Sequence, residues 1–461
     1  MTNRKAPAGD ADAALNAADR PSSLWRNRSF VRFLAGQFVT NAGDSLYAVA
    51  VVWLVFDLSG STVLTGLANA LLLLPYLLQF VAGPLVDRTP MRGILVGTQL
   101  VQAVVVLVVP VAALTDTLSL GLVLAVVPAL AAAKLLVAPV PAALLPRIVA
   151  SDRLERGNSA LATVTLGLDV VFDAAGGLAI AAVGTTALFL VDSVSFALAG
   201  VLFAGVVVPS AGNEAADGNA ADDDGEDEED EEDDAAQLGD YLHDLRVGVD
   251  ALRGSVFVPL LVRAAAFNLA VGVTLAVLPA FGATAGGPGV YGLLLGAMGV
   301  GRFAGSVAAP SLRGVGYGWV TATSRLSAGS LWLGAIHAPS STVAVGLFGV
   351  GWAAAGVDGV LVSTLNQRVF PADLLGRVST LKGTVSTGTL PMGSVVGGIV
   401  ASHLGVGSTL TLASGLVALI GLSVLGRRTL RRLPPVADAD AAAFGVETSG
   451  SVGGVSKEQS G

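Results

Sequence analysis

The chain has 461 residues, of which 53% are hydrophobic and only 13% are charged. A soluble domain averages about 25% charged residues, so this composition is typical of a protein embedded in a membrane. The chain contains no cysteine, which excludes disulfides, thiolate metal sites and thiol nucleophiles.

The first residues, 1–23, are polar and Ala-rich, and they lack the basic and then apolar order of a cleaved signal peptide. We expect residues 1–29 to form a cytoplasmic tail. Six apolar stretches follow, each with about the 20 residues that a helix needs to cross the ~30 Å hydrocarbon core. Helices are required because lipid offers the backbone no hydrogen-bond partner. The stretches lie near 31–56, 62–86, 93–114, 119–145, 158–183 and 186–208.

Residues 210–255 interrupt this apolar pattern. Fifteen of the 35 acidic residues lie between Glu214 and Asp240, with no Lys or Arg among them, whereas the rest of the chain has 26 Lys and Arg against 20 acids. The run DDDGEDEEDEEDD (222–234) repels itself, which predicts a disordered linker. One apolar stripe at 237–253 predicts a cytoplasmic surface helix at its end, formed by Leu238, Leu242, Leu245, Val249 and Leu252.

A second set of six apolar stretches completes the pattern, at 256–281, 289–311, 317–336, 342–365, 379–402 and 408–426. The sequence therefore predicts an all-α membrane protein with twelve transmembrane helices. They are expected to form one six-helix bundle at 30–209 and another at 256–428, followed by a disordered tail at 429–461.

The distribution of Lys and Arg predicts the orientation of these spans. Alternate connections contain neither residue, at 57–61, 115–119, 282–289, 337–341 and 403–408, whereas the intervening connections and the flanks of the two bundles contain several Arg. Because cytoplasmic loops are enriched in Lys and Arg, both termini and the acidic linker are predicted to be cytoplasmic. We expect a multi-pass protein of the cell membrane.

A charged turn, AGPLVDRTPMRGIL (82–95), separates the second and third spans. Its core, GPLVDRTPMR, resembles the G-x-L-x-D-R-x-x-x-R signature of the major facilitator superfamily. Further stretches resemble the branch that contains macrolide-efflux and enterobactin-export proteins: NAGDSLYAVAVVWLVFDLSGS (41–61), LLPRIVASDRLERGNS (144–159), FLVDSVSF (189–196), YGLLLGAMGVGRFAG (291–305) and GRVSTLKGTVSTGTLPMGSVVGG (376–398). The resemblance implies the major facilitator fold, in which two six-helix bundles rock about a central substrate cavity.

The same resemblance makes Gly83, Asp87, Arg88 and Arg92 a gating motif. Gly83 would permit close helix packing, and Asp87 would lie near the N-terminal end of span eleven, whose partial positive charge attracts a carboxylate. This contact would form only while the cytoplasmic gate is closed. Arg88 and Arg92 would brace Asp87 or contact lipid head groups. The alternative is that these charges only fix the topology.

Ionisable residues inside a span cost about 2.5–3.5 kcal/mol each, so each needs a partner, water or a role. The resemblance places six of them on helices that line or flank the cavity, as coupling or substrate residues: Asp44, Lys134, Asp169, Asp173, Arg302 and Asp358. Asp192 and Arg325 lie on helices usually packed outside the cavity, where a structural role is expected. The alternative is that Lys134–Asp169 and Arg325–Asp358 are static ion pairs.

Asp44 and Asp173 have no obvious basic neighbour in the sequence, and either is a candidate carrier of a coupling proton. Burial favours the neutral form of an unpaired carboxylate, which would let it take up and release a proton. Proton antiporters of the superfamily carry G-P-x-x-G-G in span five. Here FDAAGG (172–177) keeps Gly176 and Gly177 without the Gly-Pro, so the coupling ion stays open.

The predicted function is secondary active transport of a small amphipathic or hydrophobic compound, as export coupled to a proton gradient. Import, ion-coupled symport and a non-transporting membrane sensor are the alternatives. The sequence lacks a G-x-x-x-x-G-K-[ST] nucleotide loop, and His243, His337 and His403 lie in unrelated segments. We therefore predict no enzyme, metal site or cofactor. The expected partners are the substrate, H+ and membrane lipid, without nucleic acid, and the chain is expected to be a monomer.

Overall fold

The computed structural model describes residues 24–78, 91–208, 246, 252–370, 378, 381–441 and 444, except for the side chains of 76–78, 166–170 and 173–174. Nearly all of the described chain is helical. The helices are α1 (Arg28–Ser59), α2 (Thr62–Leu78), α3 (Met91–Leu114), α4 (Leu120–Val137), α5 (Val140–Ile148), α6 (Leu154–Ala204), α7 (Phe257–Ala285), α8 (Pro288–Ala308), α9 (Tyr317–Ile336), α10 (Ser341–Val369), α11 (Gly388–Leu404), α12 (Val406–Gly426) and α13 (Arg428–Arg431).

Local sequence explains where the long helices begin and turn. The Asn27 side chain accepts a hydrogen bond from the Phe30 backbone N–H and caps α1, and Gly60 ends that helix in the left-handed conformation, with φ 60°. Gly184 has φ 80° inside α6 and divides it into the fifth and sixth spans. Glycine adopts this conformation without the steric cost that a side chain would add. Gly184 lies between the apolar stretches at 158–183 and 186–208, where the sequence predicts that one span ends and the next begins.

The helices form two bundles of six spans, because α4 and α5 together make one span and α6 makes two. In the first bundle α6 packs along α1 and α3, and in the second α8 packs on α10, α9 on α12 and α7 on α11. Nine helical segments of the described chain are long and apolar enough to cross a membrane. The predicted all-α membrane fold of two six-helix bundles is confirmed.

Among the described residues, the buried packing that the two bundles share lies at one end. We call the end of the bundles next to Arg28 and Gly426 the termini end, and the opposite end, with the turns at Gly60, Gly184 and Gly405, the distal end. A single buried cluster in the distal half includes Val49 and Trp53 of the first bundle and Tyr291 and Leu294 of the second. At the termini end, the buried clusters of the described residues stay within one bundle each.

The chain after α12 corrects the first part of the predicted disordered tail, at 429–441. We call residues 428–441 and 444 the C-terminal strap. It contains α13 and a short turn at Val436–Asp438. The strap crosses the termini end of the second bundle, and its apolar side chains are buried there: Leu430, Leu433, Val436 and Phe444. Burial of these side chains supplies the apolar stabilisation that a disordered tail lacks.

Backbone hydrogen bonds fix the strap to several helices. The Tyr317 N–H donates to the Pro434 carbonyl at 3.0 Å, and the Val256 N–H donates to the Phe444 carbonyl at 3.3 Å. The Arg368 guanidinium donates to the Ala437 carbonyl at 2.6 Å. The strap therefore connects the ends of α7, α9 and α10. The rest of the predicted tail, the acidic linker and nearly all of the predicted surface helix lie outside the described residues.

Candidate transport site

The predicted gating motif lies almost wholly outside the described residues. Gly83, Asp87 and Arg88 are among the residues not described, and so is the segment before span eleven that Asp87 is predicted to contact. Arg92 is exposed in the first turn of α3. The gating contact stays a prediction.

An ion pair joins the middle of α1 to the middle of the span that α4 and α5 form together. The Lys134 ammonium lies 2.8 Å from a carboxylate oxygen of Asp44, and the side chains are 34% and 23% exposed, respectively. The expectation that Asp44 lacks a basic neighbour is wrong. Sequence reasoning matched Lys134 to α6 by depth alone, but α1 crosses the same depth and lies beside α4 in the bundle. The side chains of Asp169 and Asp173 are not among those described.

Asp192 faces α1 from the sixth span and is completely buried. It belongs to a buried stripe of α6 with Phe189, Phe196 and Phe203. The stripe lies against α1 so closely that a Cβ atom at Gly43 would come within 2.5 Å of the Asp192 carboxylate. The Ser195 hydroxyl donates to the same carboxylate at 3.3 Å. The sequence indicated a structural charge here, but it did not indicate that this charge lies next to Asp44.

A second ion pair lies inside the second bundle. Arg325 of α9 donates to the Asp358 carboxylate of α10 at 2.5 Å, and the Thr321 hydroxyl donates to its other oxygen at 2.6 Å. Both charged side chains are buried, and the Arg325 guanidinium lies over the Phe267 ring, 3.6 Å from its centre. The carboxylate is directed toward α9, an arrangement that suits a static pair. Arg302 is exposed, 5.9 Å from the ring centre of Trp352.

Glycine residues bring the two bundles together at the distal end. A Cβ atom at Gly177 of α6 would come within 2.2 Å of the Gly292 Cα in α8, and one at Gly66 of α2 within 2.3 Å of the Ser394 carbonyl in α11. Only glycine permits backbones to approach this closely. Gly177 belongs to the FDAAGG segment singled out in the sequence, and Gly176 packs on Val49 of α1.

Polar and aromatic contacts reinforce this distal interface. The Thr62 hydroxyl donates to the Gly398 carbonyl at 2.9 Å, and the Asn69 amide donates to the Ser394 hydroxyl at 3.0 Å. Trp53 stacks on Tyr291 with 5.8 Å between the ring centres. The distal interface is therefore closely packed at two places, between α2 and α11 and between α6 and α8.

Lys382 is a residue that the sequence reasoning missed. It lies just before a π-helical turn at Gly383–Thr387 that leads into α11, and π-helical turns are frequent at functional sites. Its ammonium donates to the Asn366 amide oxygen and lies over the rings of Phe257 and Phe370, at 4.2 and 5.2 Å from their centres. The signal was available, because Lys134 and Lys382 are the only lysines within the predicted bundles.

A small apolar cavity lies inside the second bundle. It is lined from α7, α8, α9, α10 and α12, with Trp332, Phe348 and Leu410 among its walls. All of these helices belong to one bundle, so the cavity does not lie between the bundles, where a transporter binds its substrate.

The comparison with family models decides the identity of the fold. Residues 33–387 match the model of the Major Facilitator Superfamily. The chain belongs to the major facilitator superfamily. It is thus a multi-pass membrane transporter with the major facilitator fold, as the charged turn and the two sets of six spans predicted. A comparison with curated protein sequences found no match.

Solved structures of other major facilitator transporters share this fold. A bacterial homologue of the human lysosomal transporter Spinster, in an inward-facing and occupied conformation, is 12% identical with a TM-score of 0.64, and the match covers 90% of this chain and 100% of that one. A bacterial homologue of the iron transporter ferroportin, in an inward-facing state, is 17% identical with a TM-score of 0.61, covering 88% and 100%. The nucleoside transporter NupG is 8% identical with a TM-score of 0.61, covering 86% and 98%.

Proposed function

We propose that this chain exports a small amphipathic or hydrophobic compound from the cytoplasm in exchange for protons that enter the cell. The observation that carries the proposal is the Asp44–Lys134 pair. It lies midway along two spans of the first bundle, with about a quarter to a third of each side chain accessible. A carboxylate whose partner is an ammonium at this depth can exchange that partner for a proton, which is the step that proton coupling requires.

The packing between the bundles supports transport by alternating access. With both termini in the cytoplasm, as the Arg distribution predicts, the distal end faces outward, and its close packing favours an inward-facing state. Reversal requires the distal interface to open and the termini end to close. In the closed form of the termini end, Asp87 would meet the N-terminal end of span eleven, as the signature implies.

The direction of transport and the class of substrate rest on the sequence. The stretches that resemble macrolide-efflux and enterobactin-export proteins favour export, and import stays the second candidate. The span faces are rich in Gly, Ala, Val and Leu and carry few polar groups, which suits an amphipathic compound better than a sugar.

Transport into inverted membrane vesicles with an acidic lumen tests the proposal. The probe is selected beforehand by screening a deletion strain against a panel of toxic compounds, of which ethidium is the first. Vesicles that contain the wild-type chain should accumulate the probe when the pH gradient is formed and lose it when the gradient is collapsed. Asp44→Asn should lower accumulation to the level of vesicles without the protein. Asp57→Asn, which changes an exposed acid at the distal end of the same helix, is the matched control.

Two outcomes would contradict the proposal. Accumulation only in right-side-out vesicles would indicate import. Accumulation by Asp44→Asn at the wild-type level, still dependent on the pH gradient, would exclude Asp44 as the proton carrier and favour Asp173, the other candidate from the sequence.

A further inference from the structure

The buried carboxylate of Asp192 lies beside the ion pair that the proposed function uses. Gly43 packs directly on Asp192, and Asp44 is the next residue of α1, so the two acids occupy neighbouring positions at the same depth. Both Asp44 and Lys134 lie within electrostatic range of Asp192. We call Asp44, Lys134, Asp192 and Tyr47 the carboxylate cluster.

The hydrogen bonds of this cluster are incomplete. Among the described residues, one oxygen of Asp192 and the hydroxyl of Tyr47 are buried and lack a hydrogen-bond partner. Tyr47 lies one helical turn after Gly43 and packs edge-on against Phe189, which precedes Asp192 by one turn of α6. A buried carboxylate oxygen without a donor is costly, and a proton on that oxygen removes the cost.

The charge balance of the cluster also favours a state with one bound proton. Among the described side chains, the Asp44 and Asp192 carboxylates face the Lys134 ammonium, and these three groups carry one net negative charge when all are ionised. One proton restores neutrality. Helix α3 also packs against α6, and its buried polar residues Thr98, Gln99 and Gln102 are uncharged, so they supply no second cation. A like-charge pair of carboxylates that shares one proton is the physical solution for such a site.

We propose that Asp44 and Asp192 together hold the coupling proton, with Asp192 as the buried acid and Asp44 as the acid that water reaches. In the loaded cluster one carboxylate carries the proton and the other pairs with Lys134. On release the proton leaves through Asp44 to the accessible side, and both carboxylates remain ionised around Lys134. This inference rests on the proposed function, because it identifies the second residue of the same proton site.

Infrared spectroscopy of the purified full-length chain in lipid nanodiscs tests this without a transported substrate. Wild type should show a protonated-carboxyl C=O band of one group per chain that disappears as the pH rises. Asp44→Asn and Asp192→Asn should each abolish that band, because the single remaining carboxylate is neutralised by Lys134. Asp57→Asn should leave the band unchanged. Ser195→Ala removes the hydroxyl that donates to Asp192 and should shift the pH at which the band disappears. This variant tests the role of Asp192 if Asp192→Asn fails to fold.

Each other outcome overturns the inference. A wild type without the band would show that both acids are permanently ionised. A band that persists in Asp44→Asn and does not respond to pH would make Asp192 a static neutral acid. Vesicle flux distinguishes failure of this inference from failure of the proposed function. A band that titrates and needs both acids, without flux driven by a pH gradient, would refute proton-coupled export and leave the inference intact. Flux driven by a pH gradient without such a band would refute the inference and leave proton-coupled export intact.

Discussion

The two ion pairs of this transporter differ in how far their side chains are exposed. Asp358 is held by Arg325 and Thr321 and is 3% exposed, whereas Asp44 and Lys134 both retain access. A buried pair whose carboxylate oxygens both accept hydrogen bonds has no reason to change its charge state during transport. A partly accessible pair can exchange a proton with water. The same residue types therefore suit a structural role in the second bundle and a coupling role in the first.

Breaking the buried pair should cost more than removing it. We expect Arg325→Gln to lower the free energy of unfolding by about 3 kcal/mol, because it leaves the Asp358 carboxylate buried and without a counter-charge. The double variant Arg325→Gln with Asp358→Asn should recover more than half of that loss. Unfolding in a denaturing detergent, followed by tryptophan fluorescence, measures both.

Arg313→Gln is the control for this comparison, because Arg313 is exposed at the end of the same bundle. It should change stability by less than about 0.5 kcal/mol. If the double variant were as unstable as Arg325→Gln alone, the pair would not be the source of the stability.

At the scale of the element, the C-terminal strap packs as part of the second bundle. Phe444 lies 5.7 Å from Phe257 between ring centres and is fully buried with it. The strap also packs where Lys382 lies over Phe257 and Phe370. Its apolar residues recur every three residues from Leu430 to Val436, a signal that a sequence search for spans of 20 residues does not detect.

Phe444→Ala should release the strap. Removal of a buried Phe side chain costs about 3–5 kcal/mol, which exceeds the stability of a short surface segment, so the segment should open locally before the bundle unfolds. Limited trypsin digestion should then cleave at Arg431 or Arg432 much faster than in wild type. Asp438→Ala changes an exposed residue of the strap and should not alter the cleavage rate. Equal rates in the two variants would show that Phe444 does not hold the strap.

At the scale of the whole molecule, the state of the transporter depends on the distal interface. The close approaches at Gly66 and Gly177 involve backbone atoms of the opposite bundle, so a side chain there cannot be accommodated by a rotamer change. Any added volume must move one bundle relative to the other. The interface therefore responds to substitution as a change in population between two states rather than as a local repacking.

Gly177→Val should shift the population away from the state described here. The overpacking cost of about 1–3 kcal/mol corresponds to a change of about 5-fold to 150-fold in the ratio of the two states. Because the chain lacks cysteine, spin labels at Asp57→Cys and Leu404→Cys can report the distal distance directly, and it should lengthen. Gly415→Val is the control, because a Cβ atom at Gly415 would meet nothing within 4 Å.

A second label pair at the termini end makes this prediction specific. Asn158→Cys in α6 and Val307→Cys in α8 are both exposed. The distance between them should shorten when the distal distance lengthens, because the bundles move as units. A longer distal distance with no change at the termini end would instead indicate local distortion around residue 177.

The sequence by itself determined the class of protein, the twelve spans and the family. Apolar stretches of about 20 residues must be helices in lipid, and the charged turn at 82–95 carries a family signature, so neither depends on tertiary contacts. Only the tertiary structure decided which charges meet. Depth along a span is readable from the sequence, but the direction that a side chain faces depends on which helices are neighbours. That is why the sequence pairs Lys134 with the fifth span although its ammonium lies on Asp44, and why it does not place Asp192 beside that pair. The strap after α12 is folded because its apolar side chains are buried in the second bundle, and the sequence pattern does not show this contact.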